Sequence, residues 1–479
     1  MTQKSKMISL WEDRVSLKKQ PRLEGVAGCE VLVIGGGMAG ILTANRLASE
    51  GVDVIVAESY RVGSGVTAGT TAKITSQHGL AYQKLVRSMG PGEARLYLEV
   101  NEAAISEYAR LCENGGDSCE FQRTSNLIYS RRGEAVLEAE MKALELIGCN
   151  SARLRSGPSL TLPFEADGAV EFPLQARFNP RKLLKRLAEG DGSPPLKLFE
   201  NTRITALHRY KDGGWEAVSE HGTILADQVV VATHFPFMDR RGGYFARMYQ
   251  SRSFVIAGSI AGGTEAAGDA AGRIRLDGMY LDEQEGGLSF REAEGLLLMG
   301  GGSGRPGKAD GGWDDLERQA AGFYPGWKTR YRWAAQDCMT LDGMPYIGQY
   351  YGKLRDGTGK SQEDTDSQRT GLWTATGFNK WGMTGSMAGA MILTDLICGR
   401  KNQYAQLFQP ARSILKMQLL VNVAESAAGL LKPKVPRCRH LGCALNWNEE
   451  EMAWECPCHG SRYDETGRCI EGPSVKDLF

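Results

Sequence analysis

A cluster of cysteine and histidine residues close to the C-terminus constrains this chain more than any other feature. Five of its eleven cysteines lie at or after Cys438, and two histidines stand among them. The residues form two short groups, 438–443 with the sequence CRHLGC and 456–461 with the sequence CPCHGS. The N-terminus shows no export signal, so a cytoplasmic chain is expected, and there such a cluster binds a metal more often than it forms disulfides. The pattern therefore predicts a metal centre.

Both groups resemble the ligand loops of the Rieske family, in which a cysteine and a histidine from each loop bind a [2Fe–2S] cluster. In the cytochrome bc-type branch a disulfide also joins the loops, and hydroxyl groups bond to cluster or ligand sulfur. The resemblance assigns roles here to the iron ligands Cys438, His440, Cys456 and His459, the disulfide partners Cys443 and Cys458, and the hydroxyl donors Ser461 and Tyr463. A tetrahedral zinc site is the alternative, because two sulfurs and two nitrogens also suit zinc. The paired extra cysteines favour the iron–sulfur cluster.

The remaining histidines argue against a Rieske oxygenase. Such an enzyme needs a separate iron, held by two histidines and a carboxylate. The other histidines are His78, His208, His221 and His234, and no two of them have a spacing that suits one site.

A second motif, near the N-terminus, predicts a dinucleotide site. An apolar, strand-like run at 29–34 leads into Gly35, Gly37 and Gly40, and a helical pattern follows. A second strand-like run ends at Glu58. In such a βαβ unit the glycines let a pyrophosphate approach the helix N-terminus, and the acidic residue accepts hydrogen bonds from a ribose. The motif alone does not choose between FAD and NAD.

The choice of FAD comes from a resemblance to the D-amino-acid-oxidase-like (glutathione-reductase-type 2) flavoproteins. It is carried by the sequences RVGSGVTAGTTAKITSQHG at 61–79, VVVATH at 229–234, WAAQDCMTLDGMPYIG at 333–348 and LWTATGFNKWGMTGSMAGAMILTDLI at 372–397. In that family the last turn leads into a helix whose N-terminus faces the flavin pyrimidine ring and favours the negative charge of the reduced flavin. The resemblance implies these FAD contacts: Gly35, Gly36, Gly37, Met38, Ala39, Gly40, Glu58, Ser59, Thr70, Thr71, Ala72, Ile204, Ala232, Thr233, Gly377, Trp381, Gly382, Met383 and Thr384.

The predicted fold class is α/β, with a Rossmann-like FAD-binding domain, an interleaved α+β substrate domain and a small β-rich C-terminal Rieske-type segment. The expected divisions are a lead-in at 1–28, the oxidoreductase at 29–400, a helical connector at 401–433 and a shortened Rieske domain at 434–479. Within the oxidoreductase, FAD-binding parts are expected at 29–80, 190–240 and 333–400, and substrate or cap parts at 81–189 and 241–332. Residues 80–148 are predicted mostly helical, and the glycine-rich stretches 261–272 and 300–312 are predicted to be loops.

The cluster segment departs from its family in one respect. A complete Rieske domain carries several strands before its first ligand loop, whereas here the connector runs almost directly into Cys438. We therefore expect the cluster fold either to be completed by docking on the flavin domain or to hold its cluster poorly.

The two motifs together predict an FAD-dependent oxidoreductase. It would oxidise a small amine or amino acid and pass electrons from reduced flavin through the cluster to a redox partner protein or a quinone-type acceptor. Polar candidates for the substrate side are Lys73, His78, Tyr249, Arg252 and Lys380, of which Arg252 suits a bidentate clamp on a carboxylate. One alternative is an electron-relay or redox-sensing protein without a dedicated small substrate. Another keeps the oxidase chemistry and treats the cluster as a structural staple.

Charge and hydropathy exclude two classes of partner. Lys and Arg total 57, as do Asp and Glu, so the chain has no basic excess for nucleic acid. The longest apolar stretch, at 383–398, is too short and too polar for a membrane span. Neither a nucleic-acid partner nor a membrane span is expected.

Overall fold

The computed structural model describes residues 5–113, 119–190, 194–210, 213–238, 241–260, 274–307, 312–350, 371–412 and 435–479. The helices within these ranges are α1 (Leu10–Arg14), α2 (Met38–Ser49), α3 (Val66–Gly69), α4 (Tyr82–Met89), α5 (Pro91–Glu113), α6 (Ala135–Leu146), α7 (Pro180–Glu189), α8 (Tyr244–Arg247), α9 (Gly312–Phe323), α10 (Gly382–Ile397) and α11 (Ala405–Phe408). The strands are β1 (Gly25–Ile34), β2 (Val54–Ala57), β3 (Lys73–Ile74), β4 (Gln122–Ser130), β5 (Arg153–Ser156), β6 (Gly168–Arg177), β7 (Lys197–Phe199), β8 (Ala206–Arg209), β9 (Trp215–Val218), β10 (Gly222–Val231), β11 (Met248–Ile260), β12 (Gly278–Asp282), β13 (Ser289–Ala293), β14 (Leu296–Gly304), β15 (Trp327–Thr340), β16 (Tyr346–Gln349), β17 (Leu372–Thr376), β18 (Asn446–Asn448), β19 (Ala453–Glu455), β20 (Arg462–Asp464) and β21 (Cys469–Glu471). The α/β prediction is confirmed, and the strands form three sheets.

The first sheet is the Rossmann-like one. Its spatial order is β16-β17-β10-β1-β2-β7, with β9 pairing β10 and β8 pairing β9. Strands β17, β10, β1, β2 and β7 run parallel. The last four residues of β1 are all buried, as expected of a parallel strand covered on both faces. The glycine turn after β1 therefore lies at the carboxyl edge of the sheet, where α/β proteins bind dinucleotides.

The second sheet has the order β15-β11-β14-β13-β12-β4-β6-β3, with β5 pairing β6. Strands β11 and β15 pair antiparallel from Met248 opposite Thr340 to Ile260 opposite Trp327. This long pairing holds β15 in the second sheet beyond residue 333, where the flavin-binding part was predicted to resume. It is the sheet that faces the C-terminal domain.

Four local predictions differ from the structure or fall outside it. Strand β4 interrupts the region predicted mostly helical. It forms a strand because it pairs with β6 and β12, and its second half is buried. Strand β14 continues to Gly304 through glycines predicted to form a loop, because β11 pairs with it as far as Gly304. Most of the predicted connector, residues 413–433, and the predicted loop at 261–272 lie outside the described residues.

The third sheet, β18-β19-β20-β21, carries the cluster loops. The first loop precedes β18, and the second connects β19 to β20. Among the helices in the described ranges, none combines the length and apolarity needed to cross a bilayer.

Candidate flavin and cluster sites

The glycine turn between β1 and α2 is closed too tightly for side chains. Gly35 has a φ of +112°, and a Cβ on it would lie 2.5 Å from the carbonyl oxygen of Ala232. A Cβ on Gly40 would lie 1.9 Å from the carbonyl oxygen of Gly35. Gly37 at the N-cap of α2 has no side chain to cap the helix. The Thr67 hydroxyl accepts one N–H of the first turn, that of Met38, at 3.0 Å, and the helix N-terminus otherwise suits an anion. This cradle fits a pyrophosphate.

Glu58 follows β2 beside the turn. Its Oε2 accepts a hydrogen bond from the Gly36 N–H at 2.6 Å, and its Oε1 accepts one from the Tyr60 N–H at 2.8 Å. Burial raises the pKa of Glu58 in spite of these bonds. The carboxylate therefore braces the glycine turn at the position where a ribose hydroxyl is expected to bind.

A cavity of about 970 Å³ opens beside the turn and is lined by both large sheets and by the cluster domain. The predicted FAD contacts on its wall are Gly35, Gly37, Met38, Ala39, Glu58, Ser59, Thr70, Thr71, Ile204, Ala232, Thr233, Trp381, Gly382 and Met383. The predicted FAD contacts that do not line the cavity are Gly36, Gly40, Ala72, Gly377 and Thr384. A helix N-terminus, glycines at the turn and an acidic strand end meet at one large cavity, so the residues present fit FAD.

A second turn beside the cavity, the one that leads into α10, is held in place by the His78 ring. This ring stacks on Trp381, with centroids 4.8 Å apart, at the start of α10. Its Nε2 lies 2.9 Å from the Thr384 hydroxyl, and its Nδ1 lies 2.6 Å from the Tyr97 hydroxyl. Burial lowers the pKa of His78 to about 3, so the ring is neutral and holds the turn rather than carrying a charge.

Two half-buried lysines reach the cavity from different parts of the chain. Lys73 donates to the Tyr280 carbonyl and the Ser289 hydroxyl, each at 2.6 Å, and burial, followed by the charge of Arg291, lowers its pKa to about 7. Lys380 donates to the Ser303 hydroxyl at 2.7 Å. Both lysine side chains line the cavity, where they could contact polar groups of a small substrate.

Sequence reasoning missed Asp337, a carboxyl group on the same wall. Burial raises its pKa to about 7, against the charge of Lys380. The sequence feature that could have identified Asp337 is the alternation of side chains along β15, which places Ala335, Asp337 and Met339 on the cavity side. The cavity thus holds a half-buried carboxyl group as well as the two lysines.

The two cluster loops are closed by matching backbone hydrogen bonds. Cys438 N–H donates to the Cys443 carbonyl at 2.8 Å, and Cys456 N–H donates to the Ser461 carbonyl at 2.9 Å. The loops bring the His440 and His459 rings to a centroid distance of 4.9 Å.

The four predicted cluster-site sulfurs also meet. The Sγ atoms of Cys443, Cys456 and Cys458 lie within 4.8 Å of one another. Hydrogen bonds from Cys438 and then from Cys443 and Cys458 lower the pKa of Cys456 below its ordinary value, which favours a thiolate. Two sulfurs and two imidazoles on facing loops fit a Rieske cluster. The disulfide between Cys443 and Cys458 stays a prediction.

The two predicted hydroxyl donors differ in what they contact. The Tyr463 hydroxyl lies 3.3 Å from Cys438 Sγ and accepts the Arg439 N–H at 3.1 Å, so its own hydrogen is left for the sulfur. The Ser461 hydroxyl accepts the Ser474 N–H at 3.0 Å and ties the second loop to the C-terminal segment.

Replacing Tyr463 by phenylalanine should lower the reduction potential of the cluster without loss of iron. A hydrogen bond to ligand sulfur stabilises the reduced cluster, and one such bond corresponds to a shift on the order of tens of millivolts. A redox titration followed by electron paramagnetic resonance measures the shift, with Tyr129→Phe in the flavin domain as a control. An unchanged potential would mean that the hydroxyl does not act on the sulfur.

Arg252 was expected to clamp a substrate carboxylate, but it contacts carboxylates of the cluster domain. Its Nε donates to Glu451 at 2.7 Å, and its Nη1 lies 3.5 Å from Glu471. Neighbouring Tyr249 lies under the Arg305 guanidinium, 4.6 Å from its ring centroid. The structure thus assigns Arg252 to the domain interface, because β11 turns it away from the second sheet's core toward the third sheet.

Comparison with known proteins agrees with both sites. Residues 30–396 match the family of FAD dependent oxidoreductases (DAO), and residues 411–479 match the Rieske [2Fe-2S] domain. A Bacillus subtilis (strain 168) protein described as a Rieske 2Fe-2S iron-sulfur protein, YhfW, is 31% identical over 98% of this chain and 96% of its own length. The cytochrome b6-f complex iron-sulfur subunit 1 of Nostoc is 54% identical over 41 residues, 9% of this chain and 23% of that subunit. Glycine oxidase from Geobacillus kaustophilus superposes with a TM-score of 0.64 at 18% identity, over 81% of this chain and 100% of that one.

These matches span both parts of the chain, and they confirm that it is an oxidoreductase that uses FAD and a [2Fe–2S] cluster. The first match alone covers more than half of the chain. The chain belongs to the DAO family of FAD dependent oxidoreductases and carries a Rieske [2Fe–2S] domain at its C-terminus.

Proposed function

We propose that this oxidoreductase removes two electrons from a small amine or amino acid and delivers them singly, through the Rieske cluster, to an external acceptor. Oxidation of a carbon–hydrogen bond beside an amine nitrogen yields an imine, two electrons and two protons. Bound FAD accepts such an electron pair, whereas a [2Fe–2S] cluster accepts one electron at a time. The acceptor would be a one-electron protein carrier or a quinone.

The observation that carries the electron path is a hydrogen-bonded bridge from the cavity to the second ligand loop. Gln250 lines the cavity, and its Nε2 donates to the carbonyl oxygen of His459 at 2.8 Å. Gln336, which lies on β15 opposite Arg252, donates to the carbonyl of Gly460 at 2.8 Å and to the Gln250 side chain. Both glutamines are buried. The proposed cluster ligand and the FAD cavity are thus neighbours within one chain.

The cavity chemistry supports a small polar substrate. Lys73, Lys380 and Asp337 offer donors and an acceptor on walls that are otherwise largely apolar, an arrangement typical of small-molecule sites. Glycine oxidase, a structural neighbour, has the same fold over most of this chain. We include Lys73, Lys380 and Asp337 among the residues that would bind or deprotonate the substrate.

The cluster ligands in this proposal are Cys438, Cys456, His440 and His459. Of the two histidines, His459 is buried against the flavin domain, where its ring meets the Phe245 ring at 6.1 Å. His440 is only half-buried. We assign His459 to the side that receives electrons and His440 to the side that an external acceptor can approach.

Anaerobic mixing with a panel of amino acids and amines tests the proposal. A true substrate should bleach the flavin and then reduce the cluster, which is detected by its electron paramagnetic resonance signal. The two events should occur without any added carrier, and turnover should then require an external acceptor. A cluster that stays oxidised while the flavin cycles would contradict the electron path. No flavin bleaching by any amine would instead favour an electron-relay protein.

A further inference from the structure

The cluster domain supplies one wall of the FAD cavity. The wall segment, residues 469–475, comprises β21 and the turn that follows it, and all seven residues line the cavity. The other walls come from the flavin and substrate parts of the chain. This contact is independent of which substrate the protein oxidises.

The wall segment is fixed to the flavin domain at two points. The carbonyl oxygen of Cys469 accepts hydrogen bonds from the Tyr60 hydroxyl and from Arg203 Nη2, the latter at 3.2 Å. The carbonyl oxygen of Gly472 accepts one from Gln250 Nε2 at 3.1 Å. The Arg203 guanidinium also lies over the Tyr60 ring, 4.9 Å from its centroid. Hydrogen bonds from side chains of one domain to backbone carbonyl groups of the other indicate a specific contact between the two domains.

The first of these points identifies which part of the cofactor the wall would meet. Tyr60 follows Glu58 by two positions, and Glu58 stands where the ribose of the adenosine half is expected. We infer that the wall segment forms part of the FAD site at this half, so that both domains retain the cofactor. FAD bound in the cavity would then be covered by the cluster domain.

The wall segment is also tied to the cluster loop. Ser474 N–H donates to the hydroxyl of Ser461, which stands two positions after the proposed ligand His459. Gln250 contacts the wall segment and this loop at once, through Gly472 and His459. A change in the ligand loop therefore reaches the FAD wall through two hydrogen-bonded links. The inference predicts that FAD is held more tightly when the cluster is in place.

The first test measures FAD release from the full-length protein. Ile470→Gln places an amide on the cavity wall, whereas Met452→Gln makes the same kind of change at an exposed turn of the same domain. Dilution into an FAD-trapping apoflavoprotein, followed by flavin fluorescence, gives both rates. We expect Ile470→Gln to release FAD faster by a factor on the order of ten, and Met452→Gln to match the wild type. Equal rates for both variants would overturn the inference.

The second test needs no variant that might fail to fold. FAD is added to flavin-free protein, and hydrogen exchange is followed in peptides that cover 469–475 and, as a control, 446–455. We expect slower exchange in the wall segment and little change in the control. The same comparison in Cys438→Ser, which should lack the cluster, is expected to show weaker protection. Unchanged exchange at 469–475 on FAD addition would overturn the inference, whatever the fate of the amine-oxidation proposal.

Discussion

Gly40→Ala should yield a protein that binds FAD about 10- to 100-fold more weakly than the wild type or is purified without flavin. The added methyl group would lie 1.9 Å from the carbonyl oxygen of Gly35, which is backbone and cannot rotate away. Helix α2 must therefore move from β1, and its N-terminus moves away from the pyrophosphate position. A shift of this kind removes the N–H groups and the helix dipole that the anion uses.

Flavin content, measured by absorbance after denaturation, checks this prediction. Gly28→Ala, in the strand β1 that precedes the turn, is the matched control, because the nearest neighbour of its added methyl group would be the Leu225 carbonyl oxygen at 3.9 Å. The control should keep its FAD and its thermal stability. Full FAD occupancy in Gly40→Ala, with an unchanged melting temperature, would contradict the account of the turn. Iron content should be similar in both proteins if they fold.

The two cofactor motifs could be predicted from sequence because their chemistry is local. Glycines in a βαβ turn, and a cysteine with a histidine in each of two short loops, place the reacting groups within a few residues. The α/β fold followed from the same local pattern. These predictions needed no knowledge of contacts between distant segments.

What sequence reasoning missed depends on contacts between distant segments. Strand β4 owes its conformation to pairing with β6 and β12 rather than to local propensity. Asp337 became a candidate only once β15 placed it on a buried wall. Arg252 was sought as a substrate ligand, yet its partner Glu451 lies 199 positions away in the chain. A single sequence carries no signal for such a pairing.

Arg252→Gln should slow electron transfer from flavin to cluster while the iron content stays unchanged. The side chain is 4% exposed, and it shares Glu451 and Glu471 with Arg462, which lies at 2.6 Å and 3.0 Å from them. Although burial opposes ionisation of Glu471, Arg462 and Arg252 hold its pKa below the usual value. Removing one arginine leaves Glu451 and Glu471, whose side chains are 10% and 24% exposed, with Arg462 as their remaining arginine partner. The free-energy cost of losing this partner should lie at the lower end of about 3–5 kcal/mol, because Arg462 still compensates the two carboxylates.

The substitution weakens the docking of the two domains, because Arg252 belongs to β11 and its carboxylate partners belong to the third sheet. Gln250, two positions earlier on the same face of the strand, makes the bridge to His459, so a shift at Arg252 disturbs that bridge directly. We expect the flavin-to-cluster rate to fall about tenfold or more. Arg46→Gln, which removes an ion pair with Glu107 inside the flavin domain, is the matched control and should leave the rate unchanged.

A light pulse in the presence of EDTA as sacrificial electron donor reduces the flavin and starts this transfer without a substrate, so the measurement separates the two possible roles of Arg252. If Arg252 positions the domains, the light-driven rate falls in Arg252→Gln whether or not an amine is present. If it clamps a substrate carboxylate instead, the light-driven rate stays at the wild-type value and only the KM for the amine rises. The interface assignment requires the first result, because the carboxylates that this arginine contacts belong to the protein itself.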